Sequence, residues 1–277
     1  MDKNAIKKYA VWARRELIER VSQCAYQYAV LDDNPNPDEH RTMEGRPLSE
    51  KEQRQRERLV AEVNAHGYQQ TMEAAAYTWF NRFAGIRFME VNGYLPSGVR
   101  VFSGDDGTFQ PEILKQCVTM DEDWLDKEKI FALKEASDTD ELYKYLVIAQ
   151  CNALGEILPA MFERIEDWTE LLFPEHLLRE GSVLSHLVTD ITEDDWRDAV
   201  QIIGWLYQYY NTEPKDDVFA ALKKNKKITK ETIPAATQLF TPDWIVRYMV
   251  ENSLGRYWLE RHPECSAEEF GWRYYLP

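Results

Sequence analysis

Long apolar runs are missing from this chain. No stretch approaches the roughly 18–20 residues needed to cross a bilayer, and the start, Met1-Asp2-Lys3-Asn4, lacks the apolar core of a secretory signal. The expectation is a cytoplasmic protein with no membrane contact. Cysteine is scarce: Cys24, Cys117, Cys151 and Cys265 lie far apart with no C-x-x-C pair, which argues against a disulfide framework or a thiolate zinc site and fits reduced, mostly buried thiols. The 12 glycines form neither G-x-G-x-x-G nor a P-loop, so no phosphate cradle is visible, and G-x-S-x-G is absent as well. The five histidines never fall into H-x-x-x-H or H-E-x-x-H, so each reads as a surface or satisfied histidine and no metal is expected. Positive charge is also in deficit, with 33 Lys and Arg against 48 Asp and Glu and a net charge of −15. Phosphate binding draws on Lys and Arg that displace counterions. Most of this surface should repel nucleic acid, leaving any such role to a local basic patch or to parts of a protein beyond this chain.

What is present is a core. Hydrophobic residues make up 44% and aromatics 13% of 277 residues, enough for one large domain or two small ones. Helical spacing runs from about Ala5 to Val30 through Ile6, Tyr9, Ala10, Leu17, Val21, Cys24 and Tyr28. Leu31–Leu48, acidic and proline-bearing, reads as a loop. Ser49 and Glu52 are spaced as a capping box for a polar helix that stops at Gly67. Gln69–Asn92 crowds Trp79, Phe80, Phe83, Ile86, Phe88 and Met89 on more than one face, and Gly93 supplies a stop. Tyr94–Gly107 is the candidate short strand or hairpin. Helices are expected again at about Pro111–Cys117, Asp123–Ala136, Thr139–Leu158 and Glu193–Asn211, the last from a Thr192 N-cap. An amphipathic helix follows Thr241 and runs to about Arg261. The fold class is mainly α: a multi-helix bundle with a minor β element.

Weaker constellations yield to plainer readings. Asp32, Asp33, Asp38, Glu39 and His40 could suggest a hard-metal loop, but prolines intervene and the ligand spacing is unordered, so a solvated acidic loop fits better. Glu193-Asp194-Asp195 suits the first turn of a helix, where carboxylates complement the dipole. The single E-x-K, Glu213-Pro214-Lys215, has a central proline at a helix end and makes a poor nuclease strand.

The most informative stretch is Ala236-Thr237-Gln238-Leu239-Phe240-Thr241-Pro242-Asp243-Trp244-Ile245-Val246. Thr241 can cap a helix that begins at Pro242, with Asp243 favourable in its first turn; on that basis alone it is an ordinary capped helix. The wider string resembles the F-x-T-P-x-x-I-V segment that leads into the S-adenosylmethionine domain of amino-methylating adenine methyltransferases. Ala76–Arg82, Arg87–Glu90, Gly204–Gln208 and Ile233–Pro242 extend the likeness to the PglX family, the DNA methyltransferases of bacteriophage-exclusion (BREX) defence. The similarity spans most of the chain and is weakest at 31–48 and 97–137.

The resemblance implies methyl transfer from S-adenosylmethionine to adenine N6 in double-stranded DNA by a longer enzyme. Phe240, Thr241 and Pro242 would be supporting contacts near the cofactor. The family's glycine-containing cofactor loop and N-P-P-Y tetrapeptide are absent; Asn34-Pro35-Asn36-Pro37 lacks the adjacent prolines and the aromatic. No catalytic residue is therefore assigned, and the expectation is an inactive N-terminal piece whose last helix leads into an absent α/β methyltransferase domain. Its expected parts are a helical domain at 1–212, a basic connector at 213–232 and a lead-in segment at 233–277. DNA-contacting candidates are Arg82, Arg87, Lys223, Lys224, Lys226 and Lys227. The alternative is an acidic helical module that docks other BREX proteins. If Arg82, Arg87, Arg100 and Lys223–Lys230 converge on one groove, the DNA reading gains; if they scatter, the docking reading gains.

Overall fold

A computed structural model of the chain describes residues 1–32, 41–162, 168–197, 199–230 and 232–277. The backbone is mainly α-helical, and among the described residues it has no strand beyond an isolated bridge between Arg41 and Pro47. Two compact units divide it, Met1–Glu213 and Pro214–Pro277.

In the first unit, α1 (Lys3–Gln27) begins where the Asp2 carboxylate accepts the amides of Asn4 and Ala5. Its buried residues, Ile6, Tyr9, Ala10, Ala13, Leu17, Val21, Cys24 and Ala25, repeat at helical spacing and make it the central helix of the unit. α2 (Glu50–His66) has the expected capping box: Glu52 N–H donates to Ser49 Oγ at 3.3 Å and Ser49 N–H donates to Glu52 Oε2 at 2.8 Å. Gly67, at φ 88°, turns the chain into α3 (Tyr68–Val91). This helix is the core: Trp79, Phe83 and Ile86 are wholly or nearly wholly buried. Trp79 meets Phe173 edge-on with ring centres 4.8 Å apart, and Phe80 lies 4.5 Å from Tyr210. Gly93, at φ 68°, ends it as expected.

Tyr94–Gly107 contains no strand or hairpin. Side chains take the backbone groups that a β partner would need. The Glu90 carboxylate accepts Val101 N–H and Phe102 N–H at 2.8 and 2.9 Å, and Tyr143 Oη donates to the Val101 carbonyl at 3.0 Å. Then follow α4 (Glu112–Gln116), α5 (Lys127–Glu135), α6 (Thr139–Ile157), and α7 (Val183–Thr189), the last unforeseen in the sequence. The single helix expected over Glu193–Asn211 is two, α8 (Glu193–Trp196) and α9 (Gln201–Tyr210). Arg197 is extended between them, and the Trp196 carbonyl accepts the Asn92 side-chain amide at 3.0 Å. Thr192 stands at the N-cap position of α8, but its side chain caps no amide. α9 and α3 both pack on α1.

α10 (Thr212–Lys223) is followed by Asn225, whose φ of 58° and N–H donated to the Leu222 carbonyl form a left-handed stop. In the second unit come α11 (Ile233–Thr237) and α12 (Asp243–Val250), a π-helical turn at Glu251–Gly255, and α13 (Arg256–Leu259). The Glu251 carboxylate accepts Tyr274 N–H at 2.6 Å, while Asn252 receives Leu276 N–H and donates to the Tyr274 carbonyl. The final segment is thus hung along the helix. Gly255 lets the Trp272 ring close in, since a Cβ there would sit 2.8 Å from it. No helix is long and apolar enough to cross a membrane, among the described residues.

Candidate cofactor and nucleic-acid interface

The residues expected to meet DNA do not come together. Arg87 is wholly buried and Arg82 nearly so. Arg87 lies 2.6 Å from Glu90 Oε1, donates to Ser103 Oγ at 3.0 Å, and has Glu193 Oε1 at 3.5 Å. Arg100 also donates to Glu193. Burial pushes the Glu193 carboxyl up, but the hydrogen bond from Arg100 and the charges of Arg100, Arg87 and Arg197 outweigh it and hold the group below the usual carboxylate range. The same pairing raises Arg100. Arg82 lies over the Trp79 ring at 5.2 Å. These two arginines are corrected from DNA contacts to core residues: phosphate cannot reach them, and the cluster neutralises charge inside the fold.

Sequence reading missed this network. Its one local signal was the i, i+3 spacing of Arg87 and Glu90; nothing in the sequence ties that pair to Glu193, over a hundred residues away. Asp195, read as a dipole partner, instead receives the chain's amino terminus at 3.0 Å and Asp2 N–H at 2.7 Å. Glu213 of the E-x-K faces Arg14 and Arg15 at the start of α10 rather than sitting on a strand.

Lys223, Lys224, Lys226, Lys227 and Lys230 are all exposed, in and just after the last turn of α10, where cations also complement the helix dipole. The charge is unevenly divided. Pro214–Pro277 holds 10 Lys and Arg against 9 Asp and Glu, leaving 23 against 39 in Met1–Glu213. The deficit of positive charge thus belongs to the first unit.

At the second expected site, Phe240 and Pro242 are half-buried and Thr241 is exposed. Pro242, not Thr241, occupies the N-cap position of α12, and no side chain caps it. The cap expected from Thr241 is therefore corrected: the helix starts one residue later, with Asp243 in its first turn as expected and paired with Arg247 at 2.7 Å. One exposed and two half-buried residues enclose little, whereas a cofactor of drug-like size needs a concavity that encloses most of its surface. These residues alone do not fit S-adenosylmethionine. From Leu239 to Trp258 the unit exposes a run of large apolar side chains, with Leu239 71%, Met249 60% and Leu254 67% accessible. Among the described residues, no three His, Cys, Asp or Glu side chains gather as a metal site. Asn34–Pro37 and the acidic loop residues Asp33, Asp38, Glu39 and His40 lie outside the described residues.

No protein-family model matches the chain. It is, however, 41% identical over 313 residues to the adenine-specific methyltransferase PglX of Lacticaseibacillus casei (strain Zhang), a match that takes in 100% of this chain and 26% of that protein. Along its whole length the chain is thus similar in sequence to a PglX-type adenine-specific methyltransferase. It is likewise 40% identical over 283 residues to the adenine-specific methyltransferase BrxX of Escherichia coli O9:H4 (strain HS), across 97% of this chain and 23% of the relative. The chain spans about a quarter of the length of the curated relatives it matches.

Proposed function

We propose that this chain is the N-terminal, non-catalytic part of an S-adenosylmethionine-dependent methyltransferase that modifies adenine N6 in double-stranded DNA, in anti-phage defence in the cytoplasm. The observation that carries this is the coincidence of 40–41% identity along nearly the whole chain to adenine-specific methyltransferases with the lack of an N-P-P-Y tetrapeptide and a glycine cofactor loop. Methylation of that atom requires the base to leave the stack, and no pocket chemistry for a flipped base is found in the sequence. The cofactor and the catalytic groups are assigned to the remainder of such an enzyme. The exposed apolar run from Leu239 to Trp258 supports this: a patch of this kind marks an interface, and it spans Phe240–Pro242, which would present the rim of the cofactor site once a second domain covers them.

DNA contact by this part is confined in our reading to Lys223–Lys230, with weak and strongly salt-dependent affinity. The burial of Arg82 and Arg87 favours a second role for the first unit, the docking of other defence-system proteins. Calorimetry tests the main reading. The chain alone should show no micromolar affinity for S-adenosylmethionine, and a full-length protein containing it should bind. Pro242→Trp in that protein should weaken cofactor binding more than it lowers the melting temperature. Unaltered affinity with lowered stability would reduce Phe240–Pro242 to plain helix-start residues.

A further inference from the structure

The first unit holds an open groove of about 980 Å³ along α6. One wall is a continuous face of that helix, Tyr145, Ile148, Ala149, Asn152, Ala153 and Glu156. From Tyr145 to Glu156 it runs about 17 Å, the length of three helical turns. Gln55 of α2, Glu170, Leu171, Trp124 and Phe162 also line it. Ala149 and Ala153 leave the middle of the α6 face low, so a backbone can approach closely there, with Tyr145 and Ile148 as apolar contacts beside them.

The charges select the visitor. The three lysines of the groove are already engaged: Lys51 lies 2.8 Å from Glu170, Lys144 3.5 Å from Glu141, and Lys129 4.5 Å over the Tyr145 ring. Glu156 reaches solvent at one end. The segment 121–141, which brings Trp124, Lys129 and Glu141 to the rim, carries nine Asp and Glu against three Lys. One of those lysines, Lys127, turns inward to the carbonyls of Cys117, Val118 and Met120. Among the described lining residues the same pairings commit Glu141 and Glu170, and Glu52 is held by Arg46, so the charge left over is the Glu156 carboxylate at the end of an apolar floor, which suits a cation and repels a phosphate.

We propose that this groove receives a basic amphipathic helix from a partner protein, with its apolar face on Ala149 and Ala153 and its Lys and Arg toward Glu156 and the 121–141 rim. The recognition is independent of the methyltransferase reading, because it uses only side chains of the first unit.

A library of random peptides about four helical turns long can be panned against the chain and counter-selected with Ala153→Trp, which fills the groove. The recovered peptides should carry apolar residues at i, i+3, i+4 and i+7 and be rich in Lys and Arg. They should bind the unaltered chain about tenfold more tightly than the variant, and any affinity of the chain for a short DNA duplex, measured without peptide, should be the same in Ala153→Trp. Three results would overturn the proposal: no enrichment, peptides that bind Ala153→Trp equally well, or DNA affinity of the chain that falls in Ala153→Trp, which would mark the groove as a nucleic-acid site. If Ala153→Trp melts well below the parent chain, Glu156→Lys replaces it. A loss of affinity for the same peptides then supports the groove, and unchanged affinity refutes it.

Discussion

Two carboxylates set the behaviour of this protein at the residue scale. Glu90 accepts two backbone amides, faces Arg87 and accepts from Ser103, all without solvent. Removing it would leave two amides without an acceptor and Arg87 without its nearest carboxylate. Glu90→Ala should therefore cost about 3–5 kcal/mol in chemical denaturation, and a loss below about 1 kcal/mol would mean the network is solvated. Glu52 is held down to about 2 by the Arg46 hydrogen bond, with the Ser49 amide and hydroxyl adding to it against the opposing effect of burial. A carboxyl depressed on folding contributes stability that is complete above its unfolded pKa and is lost as pH falls through the folded value. The parent chain should thus be more stable than Glu52→Gln at pH above about 5, and the two should converge by about pH 2. A difference that stays constant over that window would mean the Arg46 contact contributes nothing through charge. Both roles were half legible in the sequence. The Ser49–Glu52 spacing is a local rule and can be read along the chain. Glu90 looks like any charge in a helix until folding brings the turns of 101–103 to it.

At the scale of elements, what could be read was what depends on neighbours three or four residues away. The buried positions of α1 and α3, the stop at Gly93 and the capping box all follow from local spacing. What could not be read depends on distant partners. The turns at 94–107 replace a strand because Glu90 and Tyr143 satisfy that backbone, and α8 parts from α9 at an extended Arg197, where Asn92 takes the Trp196 carbonyl. The lead-in helix shows the same division. Its amphipathic pattern was visible, but the Thr241 cap was not realised, and the element is held instead by Glu251 and Asn252 gripping Tyr274 and Leu276. Thr241→Ala should accordingly leave the melting temperature within error of the parent, while Glu251→Ala, which strips an acceptor from a partly buried amide, should cost about 1–3 kcal/mol and speed hydrogen exchange at Tyr274. The reverse ranking would restore Thr241 as the structural cap.

For the whole molecule, charge and missing chemistry decide the reading. An acidic helical unit with its central arginines buried is poorly suited to grip DNA, and the second unit leaves a run of large apolar side chains uncovered. The candidate site was legible only in part for the same reason: sequence shows where lysines and arginines lie, but not which of them the core consumes. The identity to adenine-specific methyltransferases along the chain makes a role within a larger enzyme the central claim. Methylation of host DNA tests it most directly. Genomic DNA from cells that express a full-length protein containing this chain, the chain alone, or neither should be digested to nucleosides and assayed for N6-methyladenine by mass spectrometry. The account predicts N6-methyladenine above background with the full-length protein and none with the chain alone. Methylation by the chain alone, or no adenine methylation by the full-length protein, would contradict it.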